Sequence, residues 1–120
     1  MTAGNVAQNS RAKTVNVECS VEDQVYTLYT CPSNCRAHMS LLYVANSNTA
    51  AVNVDVKWER ADTTHAHILS SKNLGVGEFI QWSGAFIVLE PGDYITVTPS
   101  NNITPHLDAF ATVEEFFSLT

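Results

Sequence analysis

The stretch that decides the fold is Val52-Asn-Val-Asp-Val-Lys-Trp-Glu59. Val52, Val54, Val56 and Trp58 share one parity; Asn53, Asp55, Lys57 and Glu59 share the other. Successive side chains of an extended strand point to opposite faces, so this spacing gives one apolar face and one wet face. A helix would scatter the same valines around its axis. The segment therefore reads as a half-buried strand covering a core.

The flanks repeat the pattern. Upstream, the polar turn Asn46-Ser-Asn-Thr49 follows Ala37–Ala45, which is apolar on both parities toward its end. Such a run predicts a central strand covered on both sides. Before it lie Thr14–Cys19, Gln24–Thr30 and the turn Cys31-Pro-Ser-Asn34, with Pro32 suited to a first corner. Downstream, the turn Ala61-Asp-Thr-Thr64 leads into a strand at His65–Leu74, and Gly75-Val-Gly77 breaks it. Two short strands, Glu78–Trp82 and Phe86–Leu89, are expected around Ser83-Gly84. Glu90-Pro-Gly-Asp93 is a tight turn in which Pro fixes φ and Gly permits a positive one. Tyr94–Thr98 and His106–Phe117 close the series, and only Glu114-Glu-Phe-Phe117 resembles a helix.

Eight or nine short strands with no amphipathic helix between them predict an all-β chain. The expected architecture is a single antiparallel β-sandwich, jelly-roll or Ig-like, of about eight strands. Residues 1–13 are polar and aperiodic and read as a flexible N-terminal arm; residues 14–120 form the sandwich domain. The 120 residues suffice for one core, with 45% hydrophobic and 15% charged residues. Charged residues more often make up about 25%, and Asn, Ser and Thr supply the missing polarity.

Composition also narrows function. Six basic residues stand against twelve acidic ones, a formal charge of −6. Phosphate neutralisation needs a Lys/Arg surface, so no nucleic-acid partner is expected. No apolar run approaches the roughly 20 residues of a membrane span. The opening MTAGNVAQNSRAK lacks the hydrophobic stretch of a secretory signal. The expectation is a chain that acts where it is made, or in a particle assembled there.

Catalytic and metal-binding patterns fail one by one. His65-Ala-His67 would put two imidazoles on one strand face. The cupin pattern, however, wants Gly about six residues earlier and Glu four or five residues later. Glu59, Ser71 and Lys72 occupy those places. Cys31 and Cys35 need further ligands to hold zinc, and with Cys19 they read as three reduced thiols. No Gly-x-Ser-x-Gly elbow frames a nucleophile. Glu22-Asp23 and Glu114-Glu115 are sequence neighbours, which a strand points to opposite faces. The chain is thus expected to be no enzyme, with no catalytic residue, metal or cofactor. Most bulky aromatics, among them Phe79, Phe86 and Phe110, are expected in the core. Phe116 and Phe117 are the exception: as neighbours in a strand, one must face outward or meet another subunit.

Residues 24–100 resemble the small β-sandwich virion proteins of tailed bacteriophages. The shared layout is a strand ending at a Pro turn (Thr30-Cys31-Pro32) and an apolar strand ending in an Asn turn (Tyr43-Val-Ala-Asn46). A valine-alternating strand (Val52–Trp58), a Gly turn (Leu74–Gly77) and a Leu-Glu-Pro-Gly-Asp turn (Leu89–Asp93) follow. Cys31, Cys35 and the His65/His67 pair depart from the usual look. The resemblance implies a capsid decoration (cement) protein that binds and stabilises the assembled shell. Its partners would be the major capsid protein and further copies of itself as a homo-oligomer. Its place would be the capsid exterior, after assembly in the bacterial host cytoplasm. A tail or fibre component of the same fold is the alternative, and a carbohydrate-binding jelly roll that stacks sugars on Trp58 or Trp82 is another. Candidate partner-binding residues are Arg11 and Lys13, the only basic cluster, with Phe116 and Phe117.

Overall fold

The computed structural model describes residues 9–102 and 104–117, excepting the side chains of Ala85 and Phe86. Eight strands run in order: β1 Ser10–Cys19, β2 Tyr26–Thr30, β3 Cys35–Asn46, β4 Val52–Glu59, β5 His65–Leu74, β6 Phe79–Leu89, β7 Tyr94–Ser100 and β8 Leu107–Phe117. They form two four-stranded sheets, β1-β8-β3-β6 (sheet 1) and β2-β7-β4-β5 (sheet 2). Every pairing is antiparallel. This is the jelly-roll order, which decides between the two sandwich types expected.

The order has a simple origin. β4 pairs β5, β3 pairs β6, β2 pairs β7 and β1 pairs β8, so the chain is one long hairpin. Its tip is the predicted turn at 61–64, closed by Arg60 N–H to the Thr64 carbonyl (2.8 Å). The ribbon then bends three times, and backbone hydrogen bonds hold its two halves together at each bend. Asp23 donates to Pro99, Cys31 donates to Asp93 and accepts from Gly92, and Asn46 donates to Glu78 and accepts from Gly77. Strand twist carries successive segments alternately into the two sheets.

The valine parity is realised. Val52, Val54 and Val56 are fully buried, and Val54 and Val56 share one core cluster with the inward residues of β3 (Met39, Leu42, Val44) and β8 (Leu107, Ala109, Ala111, Val113). Burial of this kind stabilises by roughly 1.5–3 kcal/mol per large side chain. Glu90-Pro-Gly-Asp93 forms the expected turn, with Asp93 N–H donating to the Glu90 carbonyl and Gly92 at φ +87°.

Three expectations need correction. The N-terminal boundary lies earlier than Thr14: residues 10–13 are strand, paired with residues 113–116. Their alternation is hidden in the sequence because the inward places hold Arg11 and Lys13. Residues 1–8 of the arm lie outside the described residues. Residues 79–89 are one strand, because Gly84 at φ +84° lets a bulge opposite Ser40 absorb the irregularity. The closing strand expected at His106–Phe117 is observed as β8 and includes the helix-like residues 114–117. Finally, β3 is central but no described element covers its outer face, where Leu41, Tyr43 and Ala45 are half-buried.

Candidate interaction surface

The two outer faces differ in chemistry. On sheet 2 the outward residues of β4 are Asn53, Asp55, Lys57 and Glu59, all polar. His65 and His67 join them, opposite Glu59 and Lys57, with ring centroids 5.6 Å apart. Both rings are exposed. Among the described residues no third His, Cys, Asp or Glu completes a metal-binding group.

On sheet 1 an aromatic row crosses three strands. Tyr43 of β3 lies between Phe79 of β6 and Phe110 of β8, with centroids 5.2 and 4.7 Å apart and planes within 21° and 23°. Tyr43 and Phe110 are direct cross-strand partners, about 4.8 Å being the spacing of neighbouring strands, while Phe79 reaches Tyr43 on the diagonal. The three rings stack on one another. Phe79 is 57% exposed, so its expected place in the core is wrong. Phe110 is outward as well. The alternation of β6 runs on the other parity, with Ile80 and Trp82 packed on the core. Acidic Glu18 and Asp108 lie in the register row of Ala45 and Phe79.

The C-terminal end of the same sheet carries a second apolar spot. Phe116 is 38% exposed and its ring lies 4.7 Å from His38; Phe117 turns inward and packs on the core. The strand thus divides the pair as its parity demands. A groove of about 490 Å³ opens here, lined by Arg36, His38, Glu90, Phe116 and Phe117, with Cys35 in its wall. The ion pair Arg36 Nε to Glu90 Oε1, 3.2 Å, borders it.

Beneath this end lies a charged network that sequence reading missed. Glu115 is fully buried. Arg11 Nε donates to its Oε1 (2.8 Å), and the Tyr29 hydroxyl donates to its Oε2 (2.6 Å). Arg11 also lies over the Phe117 ring at 5.2 Å. Burial pushes the Glu115 carboxyl up. The two hydrogen bonds and the charges of Arg11 and Lys13 outweigh that and hold it below its ordinary value. Burial and the bond to Glu115 raise Tyr29, which keeps its proton. Tyr29 belongs to sheet 2 and Glu115 and Arg11 to sheet 1, so the network ties the sheets together. Arg11, expected to meet a neighbouring subunit, pairs within its own chain, while Lys13 stays exposed opposite Val113. Three of the four candidate residues, Arg11, Phe116 and Phe117, do gather at one end.

Neither tryptophan offers a free stacking surface. Trp58 Nε1 donates to Asp93 Oδ2 (3.3 Å), and the Arg60 guanidinium covers its ring at 4.8 Å. Arg60 Nε approaches Asp93 Oδ2 at 3.3 Å as an ion pair, without hydrogen-bond alignment. Trp82 packs against the core. No helix among the described residues is long and apolar enough to cross a membrane.

No family model matches the sequence, and no curated protein matches it. Solved structures do match the fold. A protein of Bacillus endospore appendages, described as disulfide-linked pili, is similar over 91% of this chain and 88% of its own, with 9% identity and a TM-score of 0.56. A chain of the T13 infectious bursal disease virus particle is similar over 92% of this chain, with 12% identity and a TM-score of 0.53; the match spans 32% of that chain. A chain of the cyanophage Pam1 capsid asymmetric unit is similar over 98% of this chain and 100% of its own, with 12% identity and a TM-score of 0.50. At such identities the likeness is one of fold: this chain shares a β-sandwich with subunits of viral shells and of a pilus.

Proposed function

We propose that the chain is a structural protein of a tailed-bacteriophage virion, a capsid decoration (cement) protein that binds the outside of the assembled shell and stabilises it. The observation that carries this reading is the match to the cyanophage capsid chain over the whole length of both partners. A fold aligned end to end with a capsid component is that component's size, whereas the bursal disease virus match covers a third of a larger chain. The partners are the major capsid protein and further copies of this chain. A small unit stabilises a shell by clamping neighbouring subunits, which calls for a docking face rather than a catalytic cleft. The outer face of sheet 1 suits that role. Its aromatic row supplies apolar area and Phe116 a second spot, while sheet 2 presents a polar face to solvent.

The second reading is a tail or fibre component of the same fold. Stacking of sugars on the tryptophans has no support, since Trp58 is covered by Arg60 and Trp82 packs against the core. Copy number separates the first two readings. On a gel of purified particles, a cement protein is stoichiometric with the major capsid protein, and a tail component is present in a few copies. Recombinant protein added to particles lacking it should co-sediment and raise their resistance to heat. Failure to bind such particles would overturn the reading.

A further inference from the structure

The turn Cys31-Pro-Ser-Asn-Cys35 lies at the central bend of the ribbon, between the end of β2 in sheet 2 and the start of β3 in sheet 1. Both thiols are buried and unbridged, and their sulfurs lie 3.9 Å apart. The backbone is tightly held: Cys35 N–H donates to the Pro32 carbonyl (3.3 Å), and Cys31 exchanges hydrogen bonds with Asp93 (2.8 Å) and Gly92 (3.0 Å). A sulfur–sulfur bond is about 2.0 Å long, so closure asks for an approach of about 2 Å, within reach of side-chain rotation. Cys19 is no competitor. It pairs with Leu107 at the opposite end of β8 from Phe117, the register partner of Cys35. Ten residues of strand, about 33 Å, separate the two places.

We propose that Cys31 and Cys35 close into a reversible intramolecular disulfide that fastens β2 to β3 and thereby joins the two sheets at this bend. The inference is independent of what sheet 1 binds. Cys35 forms part of the groove wall, which gives a small oxidant such as hydrogen peroxide its approach. The Cys35 thiolate attacks one peroxide oxygen, the O–O bond breaks, and a sulfenic acid forms with release of hydroxide. The Cys31 thiolate then attacks that sulfur, the S–O bond breaks, and a second hydroxide leaves. The two thiol protons complete two waters, and two electrons pass from sulfur to peroxide.

The surroundings make this closure slow at neutral pH. Burial, reinforced by Cys35, Glu115 and Asp93, pushes the Cys31 thiol up to about 12. Burial raises Cys35 too, opposed by its bond with Cys31, reinforced by Glu115 and opposed again by Arg11 and Lys13 across sheet 1. Tyr29, on the other side, keeps its proton. Only the thiolate reacts, so the rate should rise toward tenfold per pH unit on the alkaline side.

The test uses the full-length protein. It is exposed to hydrogen peroxide at mildly alkaline pH, quenched in acid, unfolded, and alkylated with iodoacetamide; intact mass counts the free thiols and fragmentation locates them. The untreated chain should carry three labels, on Cys19, Cys31 and Cys35. The treated chain should carry one, on Cys19, and dithiothreitol should restore the others. The oxidised protein should also melt at a higher temperature than the reduced one. Three labels after treatment, a sulfinic acid accumulating on Cys35, or a bond to Cys19 or to a second chain would each overturn the proposal. An unchanged melting midpoint would overturn the fastening of the sheets. Cys35→Ser should abolish the double loss of label, and the wild-type count stands without it should that variant not fold.

Discussion

Tyr29→Phe isolates the bond that ties the sheets together. The ring is buried and stays in place, so the substitution removes one oxygen and leaves almost no cavity. What it removes is a 2.6 Å hydrogen bond to a carboxylate with no exposed surface. A hydrogen bond to a charged group contributes about 1.5–3 kcal/mol. For a domain of this size 1 kcal/mol moves the melting midpoint by roughly 3–5 °C, so a loss of about 5–15 °C is expected at pH 7. The pH dependence adds a second signature. The Glu115 carboxyl is held below its ordinary value of 4.5, so its contribution is fully present above that value and is lost as pH falls through the folded-state value. Tyr29→Phe deletes one of the bonds that lower it, so the variant's folded-state value moves up. Its deficit should therefore be complete at pH 7 and shrink in acid below about 4.5. Chemical denaturation of both proteins from pH 7 to pH 3 measures this. A deficit under about 0.5 kcal/mol at pH 7, or one that stays constant into acid, would refute the account of Glu115 as a buried anion held by Tyr29 and Arg11.

Val54→Asp should abolish folding, because it places an unpaired carboxylate among fully buried valines. Asp55→Val should fold with a loss of about 1 kcal/mol, since Asp55 Oδ1 accepts the Ser71 N–H (2.7 Å) at the bulge in β5; soluble native protein from both variants would refute the face assignment. Asp93→Ala should cost about 2–4 kcal/mol in denaturant melts, because it strips acceptors from the Trp58 indole and the Ala61 and Glu90 N–H groups. Phe79→Ser should leave the melting midpoint within a few degrees yet weaken co-sedimentation with undecorated particles at least tenfold, and unchanged binding would remove the aromatic row from the docking face. Deleting residues 1–13 should destabilise the protein by about 3 kcal/mol or more, since it takes Arg11 from a buried partner; a truncation that melts like the full chain would show that β1 pairing before Thr14 contributes nothing.

The parts of the fold legible in the sequence were those where one face is apolar and the other polar. Val52–Glu59 obeys that rule, as does the Pro-Gly turn at 90–93, whose chemistry is local. Register and bulges were not legible. The continuity of β6 through Gly84 depends on what lies opposite it on β3, a residue more than 40 positions away. The start of β1 was lost for a related reason. Its inward places hold Arg11 and Lys13, and a positive charge on an inward face looks like a solvated arm until its carboxylate is located.

The candidate surface shows the same limit from the other side. A periodic pattern reports which residues share a face, and it is silent on whether that face is covered. Ala37–Ala45 is apolar on both parities, and the ordinary inference is a strand buried twice. Here Tyr43 instead finds its apolar neighbours on the outer face, in Phe79 and Phe110, brought beside it from strands 36 and 67 residues away in the chain. Glu115 is the converse. Its parity places it inward with Val113 and Ala111, which in isolation is a costly site for a carboxylate. Tyr29 and Arg11 make that place tolerable, and they arrive by the same long-range pairing of ribbon halves. In a jelly roll built from one folded hairpin, nearly every such partner is distant in sequence. Local patterning therefore exposes the strands and the core, while the end cluster and the aromatic row emerge only once the ribbon is bent and its register set.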